Sequence, residues 1–192
     1  MTVKLVGSSS GSVSLQAPAS TSGGANRVLT LPDADATLLS SASSVGKVLQ
    51  VVQSYSTAIY STTSNSMTEY AAINTTLTPS SSSNKILIMV SLSFGSSTTA
   101  GQGIQLYNGS THISAATNNN VSVPTAVTVQ LDNQFDNKQP AFQYLYSPST
   151  TSATTIKVYV QADSGTTLYV NRYGYGTARG GASSMTLMEI AA

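Results

Sequence analysis

Lys85-Ile86-Leu87-Ile88-Met89-Val90-Ser91-Leu92-Ser93-Phe94 is the longest apolar run of the chain, and its reading decides the fold. Ile86, Ile88, Val90, Leu92 and Phe94 occupy every second position, the spacing of a strand with one face in a core. The alternate face opens apolar at Leu87 and Met89 and turns polar at Ser91 and Ser93. That pattern predicts a strand buried on both sides at one end and reaching solvent at the other. The run is also long enough for a helix, but the period of two and the β-branched and aromatic content argue for a strand. Thr78-Pro79-Ser80-Ser81-Ser82-Ser83-Asn84 before it and Gly95-Ser96-Ser97 after it are turn signals. The run is therefore expected to be the central strand of an antiparallel sandwich.

Working outward, strand patterns recur at sandwich spacing. Lys47–Gln53 opens the series, and Ser54–Tyr60, Ala71–Thr78, Gly103–Tyr107, Thr125–Leu131, Ala141–Tyr146, Thr154–Ala162, Thr166–Val170 and Met185–Ile190 follow. Asn108-Gly109, Ser147-Pro148 and Asp163-Ser164-Gly165 suit tight reversals. No window carries a helical period. Residues 46–192 are read as a jelly-roll-like antiparallel β-sandwich, and Asn171–Gly181 as a glycine-rich loop before a last strand tied into a sheet.

Residues 1–45 have a different texture. Thr2–Val6, Ser12–Leu15, Arg27–Leu31 and Ala36–Leu39 alternate like short strands, separated by Ser-, Gly- and Pro-rich pieces. Strands this short bury too little surface to fold alone, so the module needs a partner, and another copy of itself is the simplest one. Val3, Leu5, Val13, Leu15, Val28, Leu29 and Leu31 are its candidate anchoring residues. The alternative is a flexible Ser/Gly linker.

Charged residues make up 8% of the 192 positions and the net charge is +1. Ser and Thr supply about three residues in ten, far above ordinary usage. A hydroxyl-rich surface sheds water more readily than an ionic one, which suits a protein held within a large assembly. The eight basic residues are scattered, so no stripe is available to neutralise phosphates, and nucleic acid is not an expected partner. No run reaches the length of a membrane span, and Met1–Gly7 lacks a signal-peptide core, so synthesis in a cytosol without membrane insertion is expected. There is no Cys and one His, which leaves no thiolate site and no adequate set of zinc ligands.

No catalytic constellation emerges, and no enzyme activity or cofactor is expected. His112 has no partner that the sequence singles out and is read as a residue beside a hairpin turn. Asp33 with Asp35, and Asp132 and Asp136 with Asn133 and Asn137, are oxygen-rich, yet two carboxylates fall short of the usual calcium set, so solvated turns are expected. Arg172-Tyr173-Gly174-Tyr175-Gly176 carries more content. Arg172, Tyr173 and Tyr175 on a glycine-flexible loop are suited to stacking on sugar rings or anchoring an interface, or else to capping the end of the sandwich.

Two stretches carry a family resemblance. Gly11-Ser-Val-Ser-Leu-Gln-Ala-Pro-Ala, Arg27-Val-Leu-Thr-Leu-Pro-Asp-Ala-Asp and Gly46-Lys-Val-Leu-Gln resemble a module of tailed-bacteriophage virion proteins. That module is similar to segments of fibres and capsid-associated proteins from marine and cyanobacterial phages. Leu77-Thr-Pro-Ser-Ser-Ser-Ser-Asn-Lys-Ile-Leu-Ile, Leu106-Tyr-Asn-Gly-Ser and Ser184-Met-Thr-Leu-Met-Glu-Ile-Ala resemble the small β-sandwich modules that follow it there. The resemblance implies a homotrimer in the virion, assembled in the host cytoplasm. One implied role is a capsid decoration (cement) protein or head fibre on the major capsid protein. The other is a short tail fibre or receptor-binding tip that recognises host surface polysaccharide.

Overall fold

The computed structural model describes residues 2–6, 12–16, 47–114, 127–176 and 180–192. The chain divides into two compact units, Met1–Ala42 and Ser43–Ala192. In the first, β1 (Thr2–Val6) and β2 (Ser12–Gln16) pair antiparallel, with Val3 opposite Leu15 and Leu5 opposite Val13. Two of the expected strands, Arg27–Leu31 and Ala36–Leu39, lie outside the described residues, as do Val28, Leu29 and Leu31.

The second unit is an all-β antiparallel sandwich. Its strands are β3 (Val48–Ser56), β4 (Tyr60–Thr62), β5 (Thr68–Glu69), β6 (Thr75–Leu77), β7 (Lys85–Ser91), β8 (Phe94–Ser96), β9 (Ala100–Asn108), β10 (Thr111–His112), β11 (Val127–Leu131), β12 (Ala141–Tyr146), β13 (Thr154–Gln161), β14 (Leu168–Val170) and β15 (Ser183–Ile190). One sheet runs β12-β7-β15-β3. The other is built on β9 and β13, flanked by β10 and β11 on β9 and by β5 and β6 on β13. A third, small sheet runs β4-β14-β8. Ile86, Ile88, Val90, Met185 and Leu187 of the first sheet and Ile104, Leu106, Ile156, Val158 and Val160 of the second form one buried core. Asn108 Nδ2 donates to the Tyr146 hydroxyl at 3.0 Å, joining β9 to β12.

The stretch 85–94 behaves as its inner face predicts: Ile86, Ile88, Val90, Leu92 and Phe94 are all buried. It differs from expectation in two ways. The opposite face is not buried at its start, since Leu87 is half-buried and Met89 exposed. Nor does the far end reach solvent. The strand stops at Ser91, turns through Leu92-Ser93 and resumes as β8 in the small sheet, which keeps both Leu92 and Phe94 in the core. Ser93 is buried at this corner, where its N–H donates to Ser183 Oγ, its hydroxyl donates to Asn137 Oδ1 and its carbonyl accepts Asn171 N–H. Farther upstream, the expected strand Ala71–Thr78 begins instead as a 3-10 turn at Ala71–Ile73 before β6.

Glu189 of β15 is fully buried on the core side. Its carboxylate accepts from Gln50 Nε2 (2.6 Å), Ser80 N–H (2.7 Å), Ser80 Oγ (2.8 Å) and Asn84 Nδ2 (2.6 Å). These bonds tie the Ser-rich turn before β7 to β15 and β3.

Candidate functional site

The loop that the sequence singles out is anchored by a residue just before Arg172. Asn171 is buried at φ 62°, a left-handed conformation that Asn tolerates better than most side chains. Its Nδ2 donates to Ser56 O (3.0 Å), Ala58 O (2.9 Å) and the Tyr70 hydroxyl (2.9 Å), and its Oδ1 accepts from Ser183 Oγ (2.6 Å). The loop therefore leaves the core from a fixed junction between β14 and β15.

Arg172 turns back onto its own loop. Nε donates to Tyr173 O (3.1 Å), Nη2 to Gly174 O (3.3 Å), and the guanidinium lies 3.9 Å above the Tyr169 ring. Stacked and hydrogen-bonded in this way, it shapes the loop instead of presenting a free cation. Gly174 has no room for a side chain: an added Cβ would collide with the Ser96 carbonyl oxygen and lie 2.7 Å from Gln134 O. Gly95 is equally confined, its Cβ position meeting Arg172 O and the Cα of Tyr173. Three backbone segments, around residues 95, 134 and 174, thus touch directly.

That contact brings in a residue the sequence reading missed. Phe135 and Tyr175 are 60% and 58% exposed, with ring centroids 5.1 Å apart. Tyr173 stands edge-on to Tyr175 at 6.5 Å. Phe135 is held by a rigid turn: its N–H donates to Asn133 Oδ1, Asp132 N–H donates to Asp136 Oδ2, and Lys138 pairs with Asp132 at 2.9 Å. Phe94 and Lys138 exchange backbone hydrogen bonds beneath it. Asp132 Oδ2 and Asp136 Oδ2 are engaged inside this turn, and Asn137 Oδ1 accepts from Ser93 Oγ. Among the described residues no group of three or more His, Asp or Glu side chains is placed to hold a metal ion. The chemistry on offer is stacking: two exposed ring faces and a phenol on a backbone that does not have to order itself first. A lone apolar residue in a polar turn, two residues after Asn133, was the available signal for Phe135.

His112 follows the Asn108-Gly109 turn in the β9-β10 hairpin, where Gly109 has φ 60°. Its ring stacks on Tyr107 at 5.1 Å, its Nε2 lies 3.3 Å from Ser114 Oγ, and burial lowers its pKa. Ser114 Oγ in turn accepts Leu106 N–H at 2.8 Å. This Ser–His pair is built into the hairpin. Of the candidate anchoring positions, Val3, Leu5, Val13 and Leu15 are brought together by the register of β1 and β2. Among the described residues no helix is long and apolar enough to cross a membrane.

No protein-family model matches the chain, and a search of curated proteins returns no match. Among solved structures, the chain is similar to the infectious bursal disease virus Gx strain structure, with TM-score 0.36 and 14% identity over 95% of this chain and 43% of that one. It is also similar to the infectious bursal disease virus VP2 subviral particle, with TM-score 0.32 and 13% identity over 88% of this chain and 42% of that one. The chain spans less than half the length of each of these proteins. Superpositions this loose bear on none of the residues described above.

Proposed function

We propose that this chain is a non-enzymatic structural protein of a tailed-bacteriophage virion, a homotrimeric capsid decoration (cement) protein or head fibre. The observation that carries the reading is the β1-β2 ribbon of the first unit, which among the described residues is a ladder of two strands with Val3 opposite Leu15 and Leu5 opposite Val13. Two strands of five residues are marginal in water by themselves, which supports a partner for this module. The second unit, by contrast, has its own core. This division supports an anchor in residues 1–45 docked on the major capsid protein and a head in residues 46–192 facing outward. The resemblance of both segments to phage virion modules points the same way, and so does the low charge. Mass spectrometry of separated phage heads and tails tests it: the chain should partition with heads, and recovery with tails alone would overturn the decoration reading.

One observation favours a second reading, a receptor-binding tip for host polysaccharide. The exposed Phe135–Tyr175 pair, with Tyr173 beside it, offers ring faces to a sugar. If it binds sugar, Phe135→Ala with Tyr175→Ala should weaken attachment to host polysaccharide at least tenfold while the melting transition survives, since anchor contacts are worth about 1–2 kcal/mol each. Equal binding by both forms would remove this reading.

A further inference from the structure

Along one side of β13, a single carboxylate holds an amine and a carboxamide at the same time. Glu69 of β5 stands opposite Tyr159, and Thr75, the first residue of β6, stands opposite Ile156. One further step along that ladder sets Asn74 across from Lys157. Both fall on the face where the Thr76 and Thr155 hydroxyls bond at 2.8 Å, since alternate residues share a side. Asn74 Nδ2 donates to Glu69 Oε1 at 2.6 Å, and Lys157 Nζ donates to Glu69 Oε2 at 3.1 Å. The Tyr159 hydroxyl also donates to Glu69 Oε2, at 3.2 Å, and the Val158 N–H donates to Asn74 Oδ1 at 3.4 Å. The Lys157 and Glu69 side chains are 28% and 31% exposed, so the group is largely sheltered. An ion pair by itself has no use for the amide on the second carboxylate oxygen. Amine, carboxylate and amide are linked here in the order that joining an amine to a carboxamide requires.

We infer that Lys157 and Asn74 form an intramolecular isopeptide bond, with Glu69 as the proton carrier. The hydrogen bond from Asn74, ahead of those from Lys157 and Tyr159, keeps the Glu69 carboxyl below its ordinary value despite the cost of burial. Ionised in this way, Glu69 takes a proton from the Lys157 ammonium along their hydrogen bond. The freed amine attacks Asn74 Cγ, and the Val158 N–H receives the charge that develops on Oδ1. The Nζ–Cγ bond forms and the Cγ–Nδ2 bond breaks. Of the three ammonium hydrogens, one stays on the new amide nitrogen, one passes through Glu69 to Nδ2, and one is released to water. Nδ2 departs as ammonia, Glu69 is left as a carboxylate, and nothing is oxidised or reduced. Holding amine and amide on one carboxylate makes the reaction intramolecular, which is what lets so weak an electrophile react. The product ties β13 covalently to the segment between β5 and β6, where pairing otherwise rests on strands of two and three residues. The bond forms whatever assembly the chain joins.

The test is intact-mass spectrometry of the full 19.8 kDa chain, kept folded for a week at mildly alkaline pH, alongside Lys157→Arg and Glu69→Gln. The wild type should weigh about 17 Da less than its sequence, the mass of one ammonia. Trypsin should then release Val48–Lys85 joined to Gln139–Arg172, uncut after Lys157. Both variants, shown to be folded by far-UV circular dichroism, should keep their full sequence masses. Lys157→Arg preserves the charge, so it remains informative if Glu69→Gln fails to fold. Asn108-Gly109 is a competing source of the same loss, because an Asn-Gly pair can close to a succinimide. A loss that persists in Lys157→Arg, with no linked peptide in the wild type, would therefore overturn the inference. So would a wild type at its full sequence mass. A linked peptide in folded Glu69→Gln would overturn the role given to Glu69.

Discussion

At the scale of single residues, polar junctions buried in the fold set the conditions under which it holds. Burial pushes the Glu189 carboxyl up, but hydrogen bonds from Asn84, Gln50 and Ser80 outweigh it and bring the pKa from 4.5 to about 2. A carboxylate depressed in the folded state stabilises fully above its unfolded pKa, and that contribution is lost as pH falls through the folded one. The window is therefore from about 4.5 down to about 2, and the contribution is on the order of 3 kcal/mol. Melting temperature should fall across that window in the wild type. In Glu189→Gln it should be lower at pH 7 and much flatter toward acid. A residual slope is expected from Glu69, whose pKa is also lowered, chiefly by its hydrogen bond from Asn74. Identical acid profiles for the two forms would contradict this account of Glu189. The residue was half legible in the sequence: in Met185-Thr-Leu-Met-Glu it falls on the core-facing parity of Met185 and Leu187. Its partners were not, because Gln50 and Ser80 lie more than a hundred positions away and leave no local pattern.

At the scale of elements, alternation located the long strands because each has one face in the core. Ala141–Tyr146 matches β12 end to end, and β7, β9, β13 and β15 fall where the period of two places them. The sequence reading missed β5 and β10 and touched β4 and β8 only at Tyr60 and Phe94, since strands of two or three residues have no period to count. It also ran 85–94 as one element, because the buried parity continues unbroken through the Leu92-Ser93 corner. The aromatic site was half visible for a related reason. The Arg172–Gly176 loop stands out by composition, but Phe135 joins it only through the close backbone packing at Gly95 and Gly174. Gly174→Ala should therefore cost about 2–4 kcal/mol of stability, the range of overpacking and backbone displacement, while Tyr175→Ala should cost well under half of that. Chemical denaturation measures both, and equal costs would show that the loop is not wedged against Ser96 and Gln134.

At the scale of the whole molecule, the scarcity of charge and the division into two units determine behaviour. With only 8% charged residues, the assembly should keep its mass between low and moderate salt. Sedimentation at 20 and 300 mM NaCl checks this, and dissociation at the higher salt would place the contacts on ionic groups instead. The central proposal is a division of labour in which residues 1–45 would hold the chain to a capsid and the core-bearing unit from Gly46 would be the outward head. Its most direct test is co-sedimentation of the full chain and of a chain starting at Gly46 with capsids lacking this protein. The account predicts that both are folded β proteins, that only the full chain pellets with the capsids, and that it makes them harder to disrupt by heat. Capsids that bind the shortened chain as well as the full one would contradict it.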